Sequence, residues 1–328
     1  MVQHSFVSVQ ADPLQDVLTL VGTTSQLSIG LVAGGEWALS FRPPEAVKFN
    51  AVRRGHCLLT VDGVPEPIKM DEGDCFLLTQ PRAFTLASGP GVRPIPAEPF
   101  FAAARGKAHG VARVGAGDDT VFIGGRFDFG ERAQELLLDV LPPVIHVPGR
   151  TAEAAIVRWV LDQIDAELRD RPLASTLVTE HLALVMLIHV LRLHLTVAGP
   201  GAATGWLGGL TDPVVAPALQ ALHARPAHPW TVAQLADVAA VSRSTLAARF
   251  KQAVGRGPLE YLTGWRIELA IERLRRGDET LAMIAREVGY GSESALSNAF
   301  RRVTGSSPRE YRISRMRTGS AAAAHLSG

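Results

Sequence analysis

Over roughly the first 145 residues the apolar positions come in short runs: SIGLVA, WALSF, CLLTVDG, IKM, CFLLT, FTLAS, VARV and TVFIGGRF. Gly, Pro and Asp break the runs about every 8–12 residues, a spacing that predicts a β-sandwich or a small barrel. Val61-Asp62-Gly63 is a candidate tight turn, since Gly63 can take positive φ. After Leu141-Pro142-Pro143 the apolar period becomes helical. Between Thr151 and Arg169, Val157, Val160, Leu161, Ile164 and Leu168 share one stripe, while Arg158, Asp162, Asp165 and Arg169 lie off it. A second helix, expected from about Leu173 to Val197, is apolar on nearly every side, so this chain or a second copy must cover it.

GPGAATGWLGG, Gly199 to Gly209, reads as a linker, and from Thr211 the text is helical throughout. Thr231-x-x-Gln234 and Ser307-Pro308-x-Glu310 have the form of capping boxes that start helices. The expected organisation is a β domain at 1–145, a helical linker and dimerisation segment at 146–210, a helical domain at 211–317 and a frayed tail at 318–328. The fold class is therefore α+β.

Two segments of the helical part share one pattern: LADVAAVSRSTLAARFKQAVG and IAREVGYGSESALSNAFRRVTG. Each has a small Ala on a short helix (Ala236, Ala285), then a turn position four residues on (Ala240, Gly289). A Ser that can cap a second helix follows (Ser242, Ser292), and then a Leu and a Phe four apart (Leu246 and Phe250, Leu296 and Phe300). That is the physics of a helix-turn-helix. The Ala lets two helices cross closely, the turn residue reverses the chain, and the Leu/Phe pair pins the second helix by one face. The other face and the N-terminus stay free to enter a major groove. One helix from about Pro258 to Arg276 joins the units. It spans ~28 Å at 1.5 Å per residue, close to the ~34 Å between successive major-groove faces on one side of a duplex.

Charge sharpens this picture. The formal net charge of the whole chain is +1, but from Pro226 onward 15 Arg and Lys face 9 Asp and Glu, a net +6. The remainder carries 18 against 23, a net −5. A basic part joined to an acidic part puts a polyanion on the helical half. Arg273-Leu274-Arg275-Arg276, Arg301-Arg302 and the run from Arg312 to Arg317 are its densest cationic stretches. The competing reading is a plain helical bundle with a coincidental repeat.

Residues from Trp230 to Tyr311 resemble the double helix-turn-helix domain of the AraC family of bacterial transcription regulators, most specifically through GYGSESALSNAFRRVTGSSPREYR. The N-terminal part resembles the cupin-type sensor barrel of a subset of that family, through WALSF, GHCLLTVDG, EGDCFLLT and LPPVIHV. The resemblance implies double-stranded promoter DNA as a partner, read by residues on both recognition helices. On the second, Glu293, Ser294 and Asn298 fall where the family reads base edges. Asn suits adenine and Glu accepts from cytosine N4, while Arg301, Arg302 and Ser292 hold phosphate. On the first, the matching positions are Arg243, Ser244, Ala247 and Ala248, with Lys251 beyond them. The alanines can touch a thymine methyl but donate nothing, and Ala240 stands where the turn favours Gly. The first unit is thus expected to read sequence thinly. Arg249 is open between contacting DNA and an intramolecular ion pair.

A metal-binding cupin would offer His-x-His where this chain has Asn50-Ala51-Val52, and a late His where it has Gln80 to Leu86. No metal and no cofactor is expected. A small effector in the barrel, or an oxidant, is the expected signal. Cys57 and Cys75 are too few for a disulfide scaffold and begin two strands. They pair as a reversible redox site only if those strands are neighbours, and otherwise they are small core residues. His181, His189 and His194 have no i,i+4 spacing for a helical metal site, and His223 and His228 read as polar groups near the linker.

The N-terminal residues lack a secretory pattern. The run from Leu182 to Ala198 is broken by His189, Arg192 and His194 and is shorter than the ~20 residues that span a bilayer. The expectation is a cytoplasmic, dimeric, non-enzymatic transcription regulator with no membrane contact and with RNA polymerase as a further partner. The alternative from another class is a cupin-type metalloenzyme with a DNA-tethering tail.

Overall fold

The computed structural model describes residues 12–105, 111–130, 132–197, 205–277 and 279–313. The expected tail at 318–328, Arg315 and Arg317 of the basic run, and most of the glycine-rich linker lie outside the described residues. The chain forms two compact units, one of Val21–Gly199 and one that joins Met1–Leu20 to Pro200–Gly328. The first helix, α1 (Pro13–Leu20), therefore lies with the C-terminal helices, although its sequence adjoins the barrel.

The Val21–Gly199 unit contains β1 (Thr24–Leu27), β2 (Gly30–Gly34), β3 (Ala38–Phe41), β4 (Val47–Arg54), β5 (His56–Val61), β6 (Ile68–Asp71), β7 (Cys75–Leu78), β8 (Phe84–Ala87), β9 (Ile95–Pro96), β10 (Val111–Gly115), β11 (Thr120–Asp128) and β12 (Val144–Val147). One sheet runs β10-β2-β11-β4-β7-β12, with β1 also on β11, and the other runs β6-β5-β8-β3-β9. The expected turn at Gly63 is present, with φ +74 and Val64 N–H donating to Val61 O at 3.0 Å.

Strand alternation decides what each face carries. On β4, Val47, Phe49 and Ala51 point one way, and Phe49 stacks on Phe127 of β11 at 5.3 Å. Lys48, Asn50 and Val52 point the other way, and Val52 joins the barrel core of Leu31, Leu59, Phe76, Leu86 and Phe122.

Two short helices interrupt the β text, α2 (Glu98–Ala104) and α3 (Ala133–Leu136). Each is too short to show a helical period. The long pair α4 (Ala155–Asp170) and α5 (Ser175–Val197) packs as a hairpin, and its turn carries Arg171 and Ala174 at positive φ. Val157, Val160, Leu161 and Ile164 are buried as the stripe requires, whereas Leu168, one turn from the hairpin end, is exposed. Arg53 of β4 pairs with Asp162 and Asp165 of α4, two of the residues set off that stripe. The α5 helix packs on β1 and β12. By length and composition alone it is long and apolar enough to cross a membrane, because it starts at Ser175, N-terminal to the apolar run, with few charges added.

The other unit holds α1 with α6 (Gly205–Gly209), α7 (Val215–Ala224), α8 (Val232–Val238), α9 (Arg243–Val254), α10 (Pro258–Arg276), α11 (Leu281–Glu287) and α12 (Glu293–Thr304), and residues 308–313 are helical. The last part of the expected linker is α6, with Trp206 and Leu207 buried, since two large apolar side chains outweigh its three glycines. His223 is a correction to the sequence reading. It is a buried core residue whose Nδ1 donates to Asp16 Oδ2 of α1 at 2.9 Å. Its Nε2 is left to meet the Tyr261 hydroxyl of α10 at 2.8 Å. Its ring lies 4.3 Å from Trp265, also on α10.

Helix α10 serves both halves of this unit. Near its start Tyr261 meets Phe250 of α9 edge-on at 5.9 Å. Towards its end Ile267, Ala270, Ile271 and Leu274 close a core with Ile284, Ala285, Val288, Leu296 and Phe300.

The two turn residues make opposite predictions. Gly289 has φ +89, and a Cβ there would lie 2.6 Å from the Ala227 Cα and carbonyl oxygen. Gly289→Ala is expected to cost about 2–3 kcal/mol in urea unfolding. Ala240 already holds φ +53. Ala240→Gly relieves that strain and is expected to be neutral or to stabilise by about 0.5 kcal/mol.

Candidate nucleic-acid interface

Both units are built by the same local steps. In the first, Thr231 starts α8 through a reciprocal capping box with Gln234. Ala236 is buried at the crossing, and the chain reverses at Ala240, where Val241 N–H donates to Ala236 O at 3.0 Å. Ser242 then caps α9 by accepting from Thr245 N–H at 3.1 Å. In the second, Thr280 caps α11 and Ala285 is buried. The turn falls at Gly289, where Tyr290 N–H donates to Ala285 O at 2.7 Å. Ser292 caps α12 by accepting from Ala295 N–H at 3.2 Å. Leu246, Phe250, Leu296 and Phe300 are all fully buried. Each second helix is thus held by one face and by a capped N-terminus.

The opposite faces are open. Arg243, Ser244, Ala247, Ala248 and Lys251 are exposed on α9, and Glu293, Ser294, Asn298, Arg301 and Arg302 are exposed on α12, with Ser292 at its cap. The spacings Arg243–Ala247–Lys251 and Ser294–Asn298–Arg302 are two steps of four residues, so each set forms one line along its helix. Arg243, Lys251 and Arg302 make no ion pair among the described residues, so their full charge faces outward. Arg301 sits 3.9 Å from Glu310, a solvent-exposed contact worth little. Glu310 accepts from Ser307 N–H at 2.7 Å in the second capping box, and the Ser307 hydrogen bonds hold its carboxyl below the usual range.

Several other cations are internally engaged. Arg249 donates to Asp212 Oδ2 at 2.7 Å, which places it in an ion pair. The dense run at the end of α10 faces its own carboxylates. Arg273 Nη1 donates to both Glu279 carboxylate oxygens, at 2.9 and 2.8 Å, and Arg276 lies 3.3 Å from Glu272. Among the described residues, Arg243, Lys251 and Arg302 on the two recognition helices have no carboxylate partner, whereas Arg249, Arg273 and Arg276 do.

In the barrel, Cys57 lies on β5 of the five-stranded sheet and Cys75 on β7 of the seven-stranded sheet. The strands do not pair, so the neighbour condition for a disulfide is not met. Both thiols are buried, and burial, reinforced by the Asp74 carboxylate, pushes each up to about 12. Asp74 accepts from Gly149 N–H at 2.7 Å and lies 3.0 Å from His146 Nε2, which ties β12 to the turn before β7. Among the described residues, no group of three or more His, Cys, Asp and Glu side chains is placed to hold a metal.

The cupin family model matches residues 12–196, and a helix-turn-helix domain model matches residues 235–314. The chain is 64% identical over 301 residues to an AraC-like transcription regulator of Streptomyces lividans, which covers 92% of this chain and 98% of that protein. It is 63% identical over the same shares to a second such regulator, from Streptomyces antibioticus. It is also similar to the crystal structure of the DNA-binding domain of AdpA in complex with a target DNA, at 34% identity and a TM-score of 0.30. That match covers 31% of this chain and 92% of that one.

The thiol environment yields a direct expectation. Both thiols are buried and burial disfavours the thiolate, so neither is poised to react near neutral pH. Iodoacetamide should therefore leave the native chain unmodified and label both cysteines once the chain is unfolded in guanidinium. Rapid labelling of either thiol in the native chain contradicts this.

Proposed function

The chain belongs to the AraC-like transcription regulators, and we propose that it is a cytoplasmic, dimeric member that reads promoter DNA through both recognition helices under control of a signal sensed by its cupin-like unit. Its helix-turn-helix domain binds double-stranded DNA. The observation that carries the finer reading is the congruence of the two units: same caps, same reversal, same buried Leu/Phe pair, and two outward lines of side chains on helices joined by one rigid strut. In this reading Glu293, Ser294 and Asn298 contact base edges. Arg301, Arg302 and the Ser292 cap hold phosphate, and Arg243, Ser244, Ala247 and Lys251 give the first unit its thinner contribution.

The relatives that match over nearly the whole chain are named as transcription regulators, which speaks against an enzyme. Dimerisation is supported by the apolar side chains that the α4–α5 hairpin leaves exposed, among them Trp159, Leu177 and Val185. A two-fold assembly places two DNA-binding domains on one promoter, where RNA polymerase is the further partner. A signal then acts by shifting the population of competent pairings rather than by catalysis. Redox control through Cys57 and Cys75 has no support from their buried, un-ionised state.

In a binding assay, Asn298→Ala is expected to lower affinity for the preferred duplex by about 5- to 100-fold while sparing scrambled DNA. Arg301→Ala should weaken binding to both duplexes and reduce the salt slope by about one. Equal losses on both duplexes for Asn298→Ala would remove its base-reading role. In sedimentation, the full chain is expected to run as a dimer and Trp159→Glu to shift it towards monomer. A monomeric parent chain would contradict the hairpin interface.

A further inference from the structure

We propose that Arg266 is a positioning residue for DNA recognition. It clamps the turn of the second helix-turn-helix unit onto the chain that enters the first, and so sets the orientation of one recognition helix relative to the other. The inference rests on the reading that both helices engage one duplex. Helix α10 fixes how far apart the units stand. Packing side chains into the grooves of a helix is compatible with crossing angles spread about 15–20° either side of a preferred value, so the strut alone does not dictate the angle between the units.

Arg266 lies midway along α10 and is half-buried, with no carboxylate partner among the described residues. Its guanidinium is used on backbone instead: Nε donates to Pro226 O at 2.6 Å and Nη2 to His228 O at 2.8 Å. Both carbonyls belong to the connection from α7 to α8, where the first unit begins. That connection is itself fixed, since Trp230 N–H also donates to His228 O at 2.8 Å and Trp230 Nε1 donates to Arg225 O at 3.1 Å. The same guanidinium lies 5.6 Å from the centre of the Tyr290 ring, which follows the Gly289 turn of the second unit. The turn also meets the connection directly. A Cβ at Gly289 would lie 2.6 Å from the Ala227 Cα and carbonyl oxygen, so backbone rests on backbone there. Tyr290 leads on towards α12. Burial raises its hydroxyl, and two cations oppose that rise, Arg266 at the seam and Arg302 on the recognition helix.

Burial holds the Arg266 guanidinium below the usual arginine range, so its charged form is disfavoured where it sits. An apolar side chain of similar volume would fill the space without that cost. What a guanidinium adds is a planar fork that holds two carbonyls at once and can still lie against an aromatic ring. Orientation is what the fork supplies.

The probe is a duplex selected by the full parent chain from a random-sequence pool, compared with the same duplex carrying one base pair inserted between its two protected patches. That insertion turns the second patch by about 34° and moves it about 3.4 Å. The parent chain is expected to lose at least about tenfold in affinity, because a rigid link cannot then engage both patches. Arg266→Ala is expected to bind the original duplex more weakly, with an insertion penalty at least about threefold smaller than the parent's. Arg266→Lys keeps the charge but not the fork, and is expected to shrink the penalty in the same direction. It carries the test if the alanine variant does not fold. A variant that is only less stable loses equally on both duplexes and keeps the parent's penalty. An unchanged penalty in the folded variants therefore overturns the proposal. Failure of the two-helix reading looks different: a single protected patch, or a parent chain indifferent to the insertion, and the proposal falls with it.

Discussion

Everything on the DNA-facing side depends on one constraint: a single unbroken helix, α10, is packed into two helix-turn-helix units at once. Its 19 residues fix the separation of those units at a length of about 28 Å. Pro258 at its first turn and Gly277 with φ +84 at its end set that length, so neither unit can drift without breaking helix or core. Tyr261 and Trp265 seat the first half against α9 and α7, and Ile267, Ile271 and Leu274 seat the second half against α11 and α12. The strut gives two local motifs one fixed spacing, which is what the proposed reading of both helices on one duplex requires.

Within that frame the two units present unequal chemistry. Both expose one line of side chains, but α12 offers Glu293, Ser294 and Asn298, which carry donors and acceptors, whereas α9 offers Ala247 and Ala248 between Arg243 and Lys251. Discrimination among bases should therefore sit mostly in the second unit, and the first should contribute attraction to the backbone. The arginines that the sequence places in dense runs do not all join in, because Arg249, Arg273 and Arg276 are held by Asp212, Glu279 and Glu272. Net charge alone overstates the interface.

The helix-turn-helix units were legible in the sequence because their determinants are local. Caps act over three residues, the Leu/Phe pairs over four, and the reversal over five, so each leaves a pattern in the text. What escaped is long-range. Asp16 and His223 are 207 residues apart, and nothing near either one announces the other, so α1 could not be assigned to the C-terminal unit by reading. The sheet partners of Cys57 and Cys75 likewise depend on a strand order that apolar runs do not encode. Arg249 admits two readings from sequence alone, because its partner Asp212 lies 37 residues away.

In the proposed reading, one chain places two recognition helices in successive turns of the same face of a duplex. Methylation-protection footprinting of the full chain on its strongest-binding genomic fragment tests this most directly. For each chain bound, two protected major-groove patches about one helical turn apart on one face are expected, with the more sequence-selective patch under α12. A single patch per chain, or two on opposite faces, would contradict it.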